Sequence, residues 1–186
     1  MMPEWGGDEM KLEVGCGYSY VNDIRTGKYR FNPKIVGADV VYLELHTPEV
    51  QEWKQSCIGW IVGDAHHLPF RDSCFKEVVA SHVMEHLDDP IRFLKECYRI
   101  LKVKGFLRLF LPNFLSVNAR RDPSHTHVFN AISLVLTMRR IGFRVYFDYK
   151  VGSLLPNFIR KLLIIIMNFL SEEIRLHAEK VIHDAT

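Results

Sequence analysis

The stretch FKEVVASHVMEHLDDPIRFLKECYRILKVKGFLRLFLPN, residues 75–113, contains a complete strand–helix–strand unit. Short apolar runs predict strands over residues 77–82 and 106–112. Between them, Asp89 is a favourable helix N-cap and Pro90 suits the first helical position. The apolar residues that follow recur at helical spacing, at Ile91, Leu94, Tyr98 and Leu101. A unit of this kind joins two parallel strands of one sheet.

Short apolar runs alternate with amphipathic stretches along the rest of the chain, which predicts an α/β fold with a mostly parallel sheet. Further strands are expected over residues 11–16, 34–41, 59–63, 143–150 and 173–182. Further helices are expected over residues 47–55 and 131–141, the second of them ended by Gly142. For the first crossover, residues 18–32, a short helix and a loop are expected.

The composition of the 186 residues is that of one ordinary globular domain. A net charge of only +2, from 24 basic and 22 acidic residues, argues against a nucleic-acid partner. The four cysteines form no CxxC pair, so a zinc ribbon is not expected. The first residues lack the features of a signal peptide, and a cytoplasmic protein with reduced thiols is the expectation.

The first predicted strand ends in a stretch with two glycines, Glu13-Val14-Gly15-Cys16-Gly17. Glycine lets the backbone approach a ligand closely, and open parallel sheets bind ligands beyond the carboxyl ends of their strands. Asp39, near the end of the second predicted strand, is suited to accept hydrogen bonds from both hydroxyls of a ribose. A plain tight turn and a surface acid are the alternatives for these two features.

A third feature distinguishes between two cofactor classes. Asp64 and Ala65 follow the third strand, where a carboxylate and a backbone N–H suit the amino group and ring edge of adenine. A nicotinamide dinucleotide site would need a third glycine where Tyr20 stands. Glu13 is also unfavourable beside a pyrophosphate but suits an ammonium group. These residues favour an adenosine ligand that carries an amino acid.

With these features in place, residues 11–113 resemble the class I S-adenosylmethionine-dependent methyltransferase domain of the small-molecule, type 11-like kind. The resembling blocks are LEVGCG, VGADV, GDAHHLPF, the 75–113 stretch with its Glu85-His86 pair and, more loosely, IGFRV; EEIRLHAEK resembles the last strand. The resemblance implies a Rossmann-like sheet in the order 3-2-1-4-5-7-6, with the last strand antiparallel and helices on both faces. It implies one domain over residues 1–186: a cofactor-binding core at 10–150, a helical insertion or lid at 151–171 and the last strand at 172–182.

The resemblance also implies S-adenosyl-L-methionine as the cofactor. Glu13 would orient the glycine turn and the methionine ammonium group, and Ser81 would lie beside the methionine moiety. The expected cofactor-binding residues are Glu13, Gly15, Cys16, Gly17, Asp39, Val40, Asp64, Ala65 and Ser81.

Methyl transfer from a sulfonium is an in-line displacement with a neutral leaving group, so positioning supplies most of the catalysis. A base is needed only where the acceptor must lose a proton. His127, His125 and His82 are the candidate catalytic residues, with packing or solvent exposure as the alternative for each. No metal is expected, because no cysteine or carboxylate at ligand spacing flanks His66-His67 or the His-x-His pair at 125–127.

The Leu- and Ile-rich residues 154–170 are too few and too charged for a membrane span, which favours a buried or lid helix. Contact with a membrane surface and dimer packing remain alternatives, as does an apolar acceptor beneath the helix. The expected partner is a small-molecule methyl acceptor. The alternative functions are a cofactor-binding but catalytically silent partner subunit, a methyltransferase of protein or RNA, and a nicotinamide oxidoreductase.

Overall fold

The computed structural model of the chain describes residues 10–15, 22–23, 28–29, 40–46, 57–147, 158–159, 166 and 170–181. Nine strands lie in these residues: β1 Lys11–Val14, β2 Asn22–Asp23, β3 Lys28–Tyr29, β4 Val40–His46, β5 Cys57–Asp64, β6 Phe75–Ser81, β7 Leu101–Pro112, β8 Phe143–Phe147 and β9 Glu173–Lys180. The helices are α1 Pro90–Ile100, α2 Val117–Arg121 and α3 Ala131–Ile141, with a short 3-10 turn at Met84–His86. The α/β class expected from the sequence is confirmed.

Seven strands form one sheet in the spatial order β5-β4-β1-β6-β7-β9-β8, and β2 and β3 form a separate hairpin. The pairs β1–β6 and β6–β7 are parallel, whereas β4 is antiparallel to both β1 and β5. Strand β9 is antiparallel to β7 and to β8. The prediction of a mostly parallel sheet is therefore wrong, and the sheet is mixed.

The link between β4 and β5 gives the physical reason for the mixed sheet. Only residues 47–56 separate these strands, and a parallel crossover needs a dozen or more residues. The strand expected over 34–41 overlaps β4 only at Val40 and Val41, and its other residues lie outside the described part of the chain. The helix expected over 47–55 lies outside it entirely.

The first crossover also differs from its prediction at the residues that are described. Asn22 pairs with Tyr29 and Asp23 with Lys28. These four residues therefore form extended backbone where a short helix and loop were expected.

Local capping explains why α1 and α3 begin where they do. The Asp89 carboxylate accepts a hydrogen bond from the Arg92 N–H at 3.0 Å, and Pro90 is the first residue of α1. The Asn130 side chain accepts from the Ile132 N–H, and Gly142, at a φ of 122°, ends α3. Both cap types satisfy backbone groups that a helix end leaves without partners.

The core lies between the sheet and the two longer helices. Along β7 and β9, alternate side chains are fully buried, as expected for strands that present one face to a packed layer. On α1 the buried residues are Phe93, Leu94, Cys97 and Ile100, whereas Ile91 is 49% exposed. The helical face expected from Ile91, Leu94, Tyr98 and Leu101 is thus wrong at its first position.

The directions of the strands bring several strand ends to one edge of the sheet. The carboxyl ends of β1, β5, β6 and β7 meet there, together with the amino ends of β4 and β9.

In the 154–170 segment the described residues are helical, and Phe158, Ile166 and Leu170 are exposed. Within the described part of the chain, no helix has the length and apolar character to cross a membrane.

Candidate functional site

A sharp turn follows β1 at the shared edge of the sheet. Gly15 has a φ of 70°, which favours glycine, and a Cβ atom there would lie 2.2 Å from Cγ2 of Val83. Because Val14 pairs with Ala80 in the parallel β1–β6 ladder, Gly15 lies beside Ser81. Both conformation and space therefore require glycine where the sequence predicts close approach to a ligand.

Asp64, the last residue of β5, is about half exposed. Its carboxylate accepts a hydrogen bond from the His66 N–H at 2.7 Å and lies 3.0 Å from His67 Nδ1. Burial raises the pKa of this carboxyl, but hydrogen bonds from His67 and His66 outweigh it, so the net pKa is lowered. A carboxylate has about four lone-pair sites, so Asp64 retains capacity for a further donor such as an adenine amino group.

The described members of the expected cofactor set converge on this edge. Val40 pairs with Asp64, buried Ala65 follows directly, and half-buried Glu13 precedes the glycine turn. Cys16, Gly17 and Asp39 lie outside the described residues. The described members of the set include two carboxylates, which accept hydrogen bonds, and no cation, which suits an amino and an ammonium group better than a pyrophosphate. These residues fit S-adenosylmethionine.

The adjacent histidines after Asp64 have different structural roles. His66 is buried, its Nε2 accepts a hydrogen bond from the Asp89 N–H at 3.2 Å, and its Nδ1 lies 3.4 Å from Asp64. His67 is exposed and contacts Asp64 and Arg92. His66 thus connects the loop after β5 to the start of α1.

The Leu68–Phe70 segment that follows is fixed against α1 by two charged residues. Glu96 accepts a hydrogen bond from the Leu68 N–H at 2.9 Å. Arg99 donates to the carbonyls of Leu68 and Phe70, at 2.9 and 2.7 Å. The hydrogen bond from Arg99 also lowers the pKa of the Glu96 carboxyl. The i,i+3 spacing of Glu96 and Arg99 on a predicted helix is the sequence signal for this pair.

A cavity of about 730 Å³ opens beside the ends of β6, β7 and β9. Nine of its eleven described lining residues have polar side chains; the lining residues are His82, Glu85, His86, Pro112, Ser116, Arg121, Asp122, Pro123, His125, Glu172 and Glu173. Four carboxylates face it against one arginine. Two of the three candidate catalytic histidines, His82 and His125, line this cavity.

His82 follows β6 directly, with a φ of 53°, and lies between two carboxylates. Its Nδ1 is 3.2 Å from Glu85 Oε1, and its Nε2 is 3.1 Å from Glu173 Oε1. The hydrogen bond to Glu85 is the main cause that raises the pKa of the imidazole, and partial burial opposes it. A charged imidazolium donates from both nitrogens, so this arrangement suits orientation of an acceptor better than proton removal.

Only one histidine of the His-x-His pair at 125–127 lies in the described lining of the cavity. His125 lines the cavity, with its Nδ1 3.2 Å from the Ala119 carbonyl and its ring edge-to-face with His86. His127 is absent from the described lining, and its Nε2 is 3.2 Å from the Asp88 carbonyl. The two histidines therefore have separate surroundings.

Buried Glu85 is a lining residue that the sequence did not assign to chemistry. Its carbonyl accepts hydrogen bonds from the N–H groups of Thr126 and His127, at 2.8 and 3.1 Å. Glu172, Glu173, Asp122 and Arg121 were also missed. Glu173 meets His82 from 91 positions away along the chain, and no local pattern signals such a pair.

A family model described as a methyltransferase domain matches residues 12–109. A probable S-adenosylmethionine-dependent methyltransferase of Mycolicibacterium smegmatis is 31% identical over 138 residues, which cover 72% of this chain and 51% of that protein. A demethylmenaquinone methyltransferase of Thermotoga maritima is 42% identical over 73 residues, covering 39% and 31%. The solved structure of the YcgJ protein of Bacillus subtilis aligns at 18% identity with a TM-score of 0.49, covering 65% of this chain and 70% of that one. The chain spans about half the length of the first curated relatives it matches.

Proposed function

Since the chain belongs to the class I S-adenosylmethionine-dependent methyltransferase domain family, we propose that it transfers a methyl group from this cofactor to a small, polar acceptor in the 730 Å³ cavity. The observation that carries the proposal is the position of this cavity. The cavity begins at His82, which follows Ser81 at the end of β6. The Gly15 turn follows β1, the strand that neighbours β6 in the sheet. Cavities of roughly 300–1,000 Å³ suit small-molecule ligands.

We further propose that the remaining expected cofactor residues, Cys16, Gly17 and Asp39, complete the site beside Gly15 and Asp64. Residues 10–150 would then form the cofactor-binding core, and 151–171 a helical insertion beside it. Asp64 would bind the adenine amino group, and Glu13 the ammonium group.

The lining of the cavity supports a hydroxylated or amine-bearing acceptor. Among its eleven described lining residues, only Pro112 and Pro123 lack a polar side chain. Because the relatives include a demethylmenaquinone methyltransferase, a demethylated quinol is the apolar acceptor to compare. The nine polar side chains among the described lining residues favour an acceptor with several hydrogen-bonding groups over this quinol and over the apolar acceptor considered from residues 154–170.

When bound, the cofactor supplies a methyl group on a sulfonium, and a neutral thioether remains after its transfer. The chain's own residues position the acceptor. His82, whose two ring nitrogens are engaged by Glu85 and Glu173, would hold these carboxylates in place at the cavity wall, where they accept hydrogen bonds from hydroxyl or amine groups of the acceptor. Where the acceptor must lose a proton, His125 is the candidate base: its Nδ1 donates to the Ala119 carbonyl, which leaves Nε2 with the lone pair.

The first test is thermal unfolding with and without S-adenosylhomocysteine, with a reduced nicotinamide dinucleotide as the control. A ligand at 100 times its Kd adds about 2.7 kcal/mol of stability, which for a domain of this size raises Tm by roughly 5 °C or more. A shift with S-adenosylhomocysteine alone supports the proposal. No shift at millimolar ligand, with protein shown to be free of bound cofactor, would exclude the cofactor site.

The second test measures conversion of S-adenosylmethionine to S-adenosylhomocysteine with panels of polar phenols, alcohols and amines, and with a demethylated quinol. Turnover with a polar acceptor, reduced by His82→Gln, supports the assigned cavity. Binding without turnover by any acceptor would favour the silent-partner alternative instead.

A further inference from the structure

A cluster of three side chains that could bind a metal ion lies in the wall of the same cavity. Glu85, His86 and His125 each offer one ligand atom, and these three atoms all lie within 4.8 Å of one another. Glu85 and His86 come from the turn after β6, and His125 from the loop after α2. The three ligand atoms therefore come from two segments of the chain.

Buried Glu85 gives an independent indication of a missing partner. Its side chain is 1% exposed, and its Oε1 contacts His82. Its Oε2 has no hydrogen-bond partner among the residues that the structure describes. A buried carboxylate oxygen without a donor is costly, and a cation bound to Oε2 would remove that cost.

Both imidazoles are oriented as metal ligands usually are. His86 Nδ1 lies 3.0 Å from the Ser124 carbonyl, and His125 Nδ1 lies 3.2 Å from the Ala119 carbonyl. Because a carbonyl oxygen only accepts, each Nδ1 carries the proton and each Nε2 the lone pair. Ligating histidines almost always donate their other ring N–H to such a carbonyl or carboxylate.

The charge around the triad also favours a cation. Asp122 Oδ2 lies 3.8 Å from His125 Nε2, so a carboxylate faces a lone-pair nitrogen. Glu172 and Glu173 line the same cavity, and Arg121 is the arginine among its described lining residues. Even with Arg175 paired to Glu173, the four carboxylates outnumber the arginines, and an excess of carboxylates attracts cations.

From these observations we propose that Glu85, His86 and His125 form a site for a divalent transition metal of the zinc class. One Glu and two His with an open position are a known catalytic zinc ligand set, and imidazole ligands favour zinc over magnesium. Tetrahedral zinc with bonds of about 2.1 Å separates its ligands by about 3.4 Å. Side-chain rotation therefore has to close the triad by roughly 1.4 Å.

The site goes beyond the proposed function and also bears on it. A cation there presents its open position to the cavity, where it lowers the pKa of a coordinated hydroxyl or thiol. The metal would thus replace His125 as the group that prepares an acceptor for methylation. This consequence rests on the proposed function, whereas metal binding by the triad does not.

The test is isothermal titration of chelator-treated, tag-free protein with Zn²⁺, without cofactor or acceptor, and with Mg²⁺ as the comparison. We expect one Zn²⁺ per chain and no comparable Mg²⁺ binding. Loss of a group that only hydrogen-bonds to a metal ligand already weakens metal binding by roughly 10–100-fold, so His125→Ala and Glu85→Gln should weaken it at least tenfold. His127→Ala, on the same loop but bound to Asp88, should bind Zn²⁺ as the unchanged protein does.

Circular dichroism of each metal-free variant shows whether it is folded. If His125→Ala unfolds, the comparison is made with His86→Gln, whose Nδ1 partner is a more exposed loop carbonyl. The proposal is overturned if the unchanged protein shows no saturable Zn²⁺ binding. It is equally overturned if His127→Ala weakens binding as much as the triad variants do. Because no methyl transfer is measured, failure here leaves the proposed function standing.

Discussion

Gly15 packs against Val83 so closely that a Cβ atom at position 15 would lie 2.2 Å from the valine Cγ2. This contact joins the turn after β1 to the segment after β6, beside the proposed cofactor and acceptor sites. Its φ of 70° is a second reason for glycine. We expect Gly15→Ala to lower the free energy of unfolding by more than about 1–2 kcal/mol, since the left-handed conformation alone costs that much.

A double-mutant cycle separates these two causes. Val83→Ala removes the clashing methyl groups, at a cost of about 1–3 kcal/mol for the buried volume lost. In urea unfolding, the double variant should be roughly 0.5–3 kcal/mol more stable than the sum of the single effects predicts. Additive effects would show that a clash between an alanine Cβ at position 15 and the Val83 side chain does not contribute to the cost of Gly15→Ala.

His66 and His67 offer a matched pair of neighbouring substitutions. His66→Ala removes a buried side chain that accepts a hydrogen bond from the Asp89 N–H; the lost hydrogen bond costs about 0.5–1.5 kcal/mol, and the lost packing adds to it. His67→Ala changes an exposed side chain, so its effect should stay within about 0.5 kcal/mol. Chemical denaturation measures both. Equal losses would contradict a structural role for His66 alone.

Local signals in the sequence predicted the family and those elements whose ends are marked by a capping residue or a glycine. The family is confirmed. Helix α3 occupies the expected residues, Ala131–Ile141, because Asn130 caps it and Gly142 ends it. The turn at Gly15 was predictable for the same reason, since glycine at a strand end specifies a backbone conformation without help from distant residues.

Features that depend on tertiary contacts were not predictable in this way. Ile91 fits a helical repeat, but the packing of α1 on the sheet buries Phe93 and Leu94 and leaves Ile91 exposed. A periodic pattern with apolar residues on two faces does not decide which face is covered. The direction of β4 likewise depends on how residues 47–56 connect it to β5, not on the residues within the strand.

The residues that line the cavity were likewise only partly predictable from the sequence. The sequence pointed to His82 and His125, which line it, but also to His127, which lies outside its described lining. Glu85 and Glu173 face His82 from separate parts of the sheet edge. Their roles follow from the strand order, which no spacing along the chain encodes.

The Glu96–Arg99 pair predicts a specific dependence of stability on pH. Arg99 holds the folded-state pKa of Glu96 below its ordinary value of 4.5. The stabilisation is therefore fully present above pH 4.5 and is lost as the pH falls through the lower folded pKa. We expect Glu96→Gln to cost about 1–2 kcal/mol near neutral pH and to cost nothing once Glu96 is protonated.

Urea unfolding of both proteins from about pH 7 down to about pH 3 tests this expectation. The control is Asp72→Asn, because Asp72 also pairs with Arg99 but its side chain is 76% exposed. Exposed pairs contribute roughly 0–1 kcal/mol. A constant difference between Glu96→Gln and the unchanged protein at every pH would rule out the carboxylate as the cause.

Asp64 provides the sharpest test of the cofactor site, because the proposal assigns it one hydrogen bond to one chemical group. An analogue of S-adenosylhomocysteine with hydrogen in place of the adenine 6-amino group has no donor there for the carboxylate. We expect the unchanged protein to bind this analogue at least roughly tenfold more weakly, since hydrogen bonds to charged groups are worth about 1.5–3 kcal/mol. Asp64→Ala should weaken S-adenosylhomocysteine and remove the discrimination, whereas Asp72→Asn should retain it. Titration calorimetry with both ligands decides the matter: equal discrimination by Asp64→Ala and the unchanged protein would mean that another group reads the adenine.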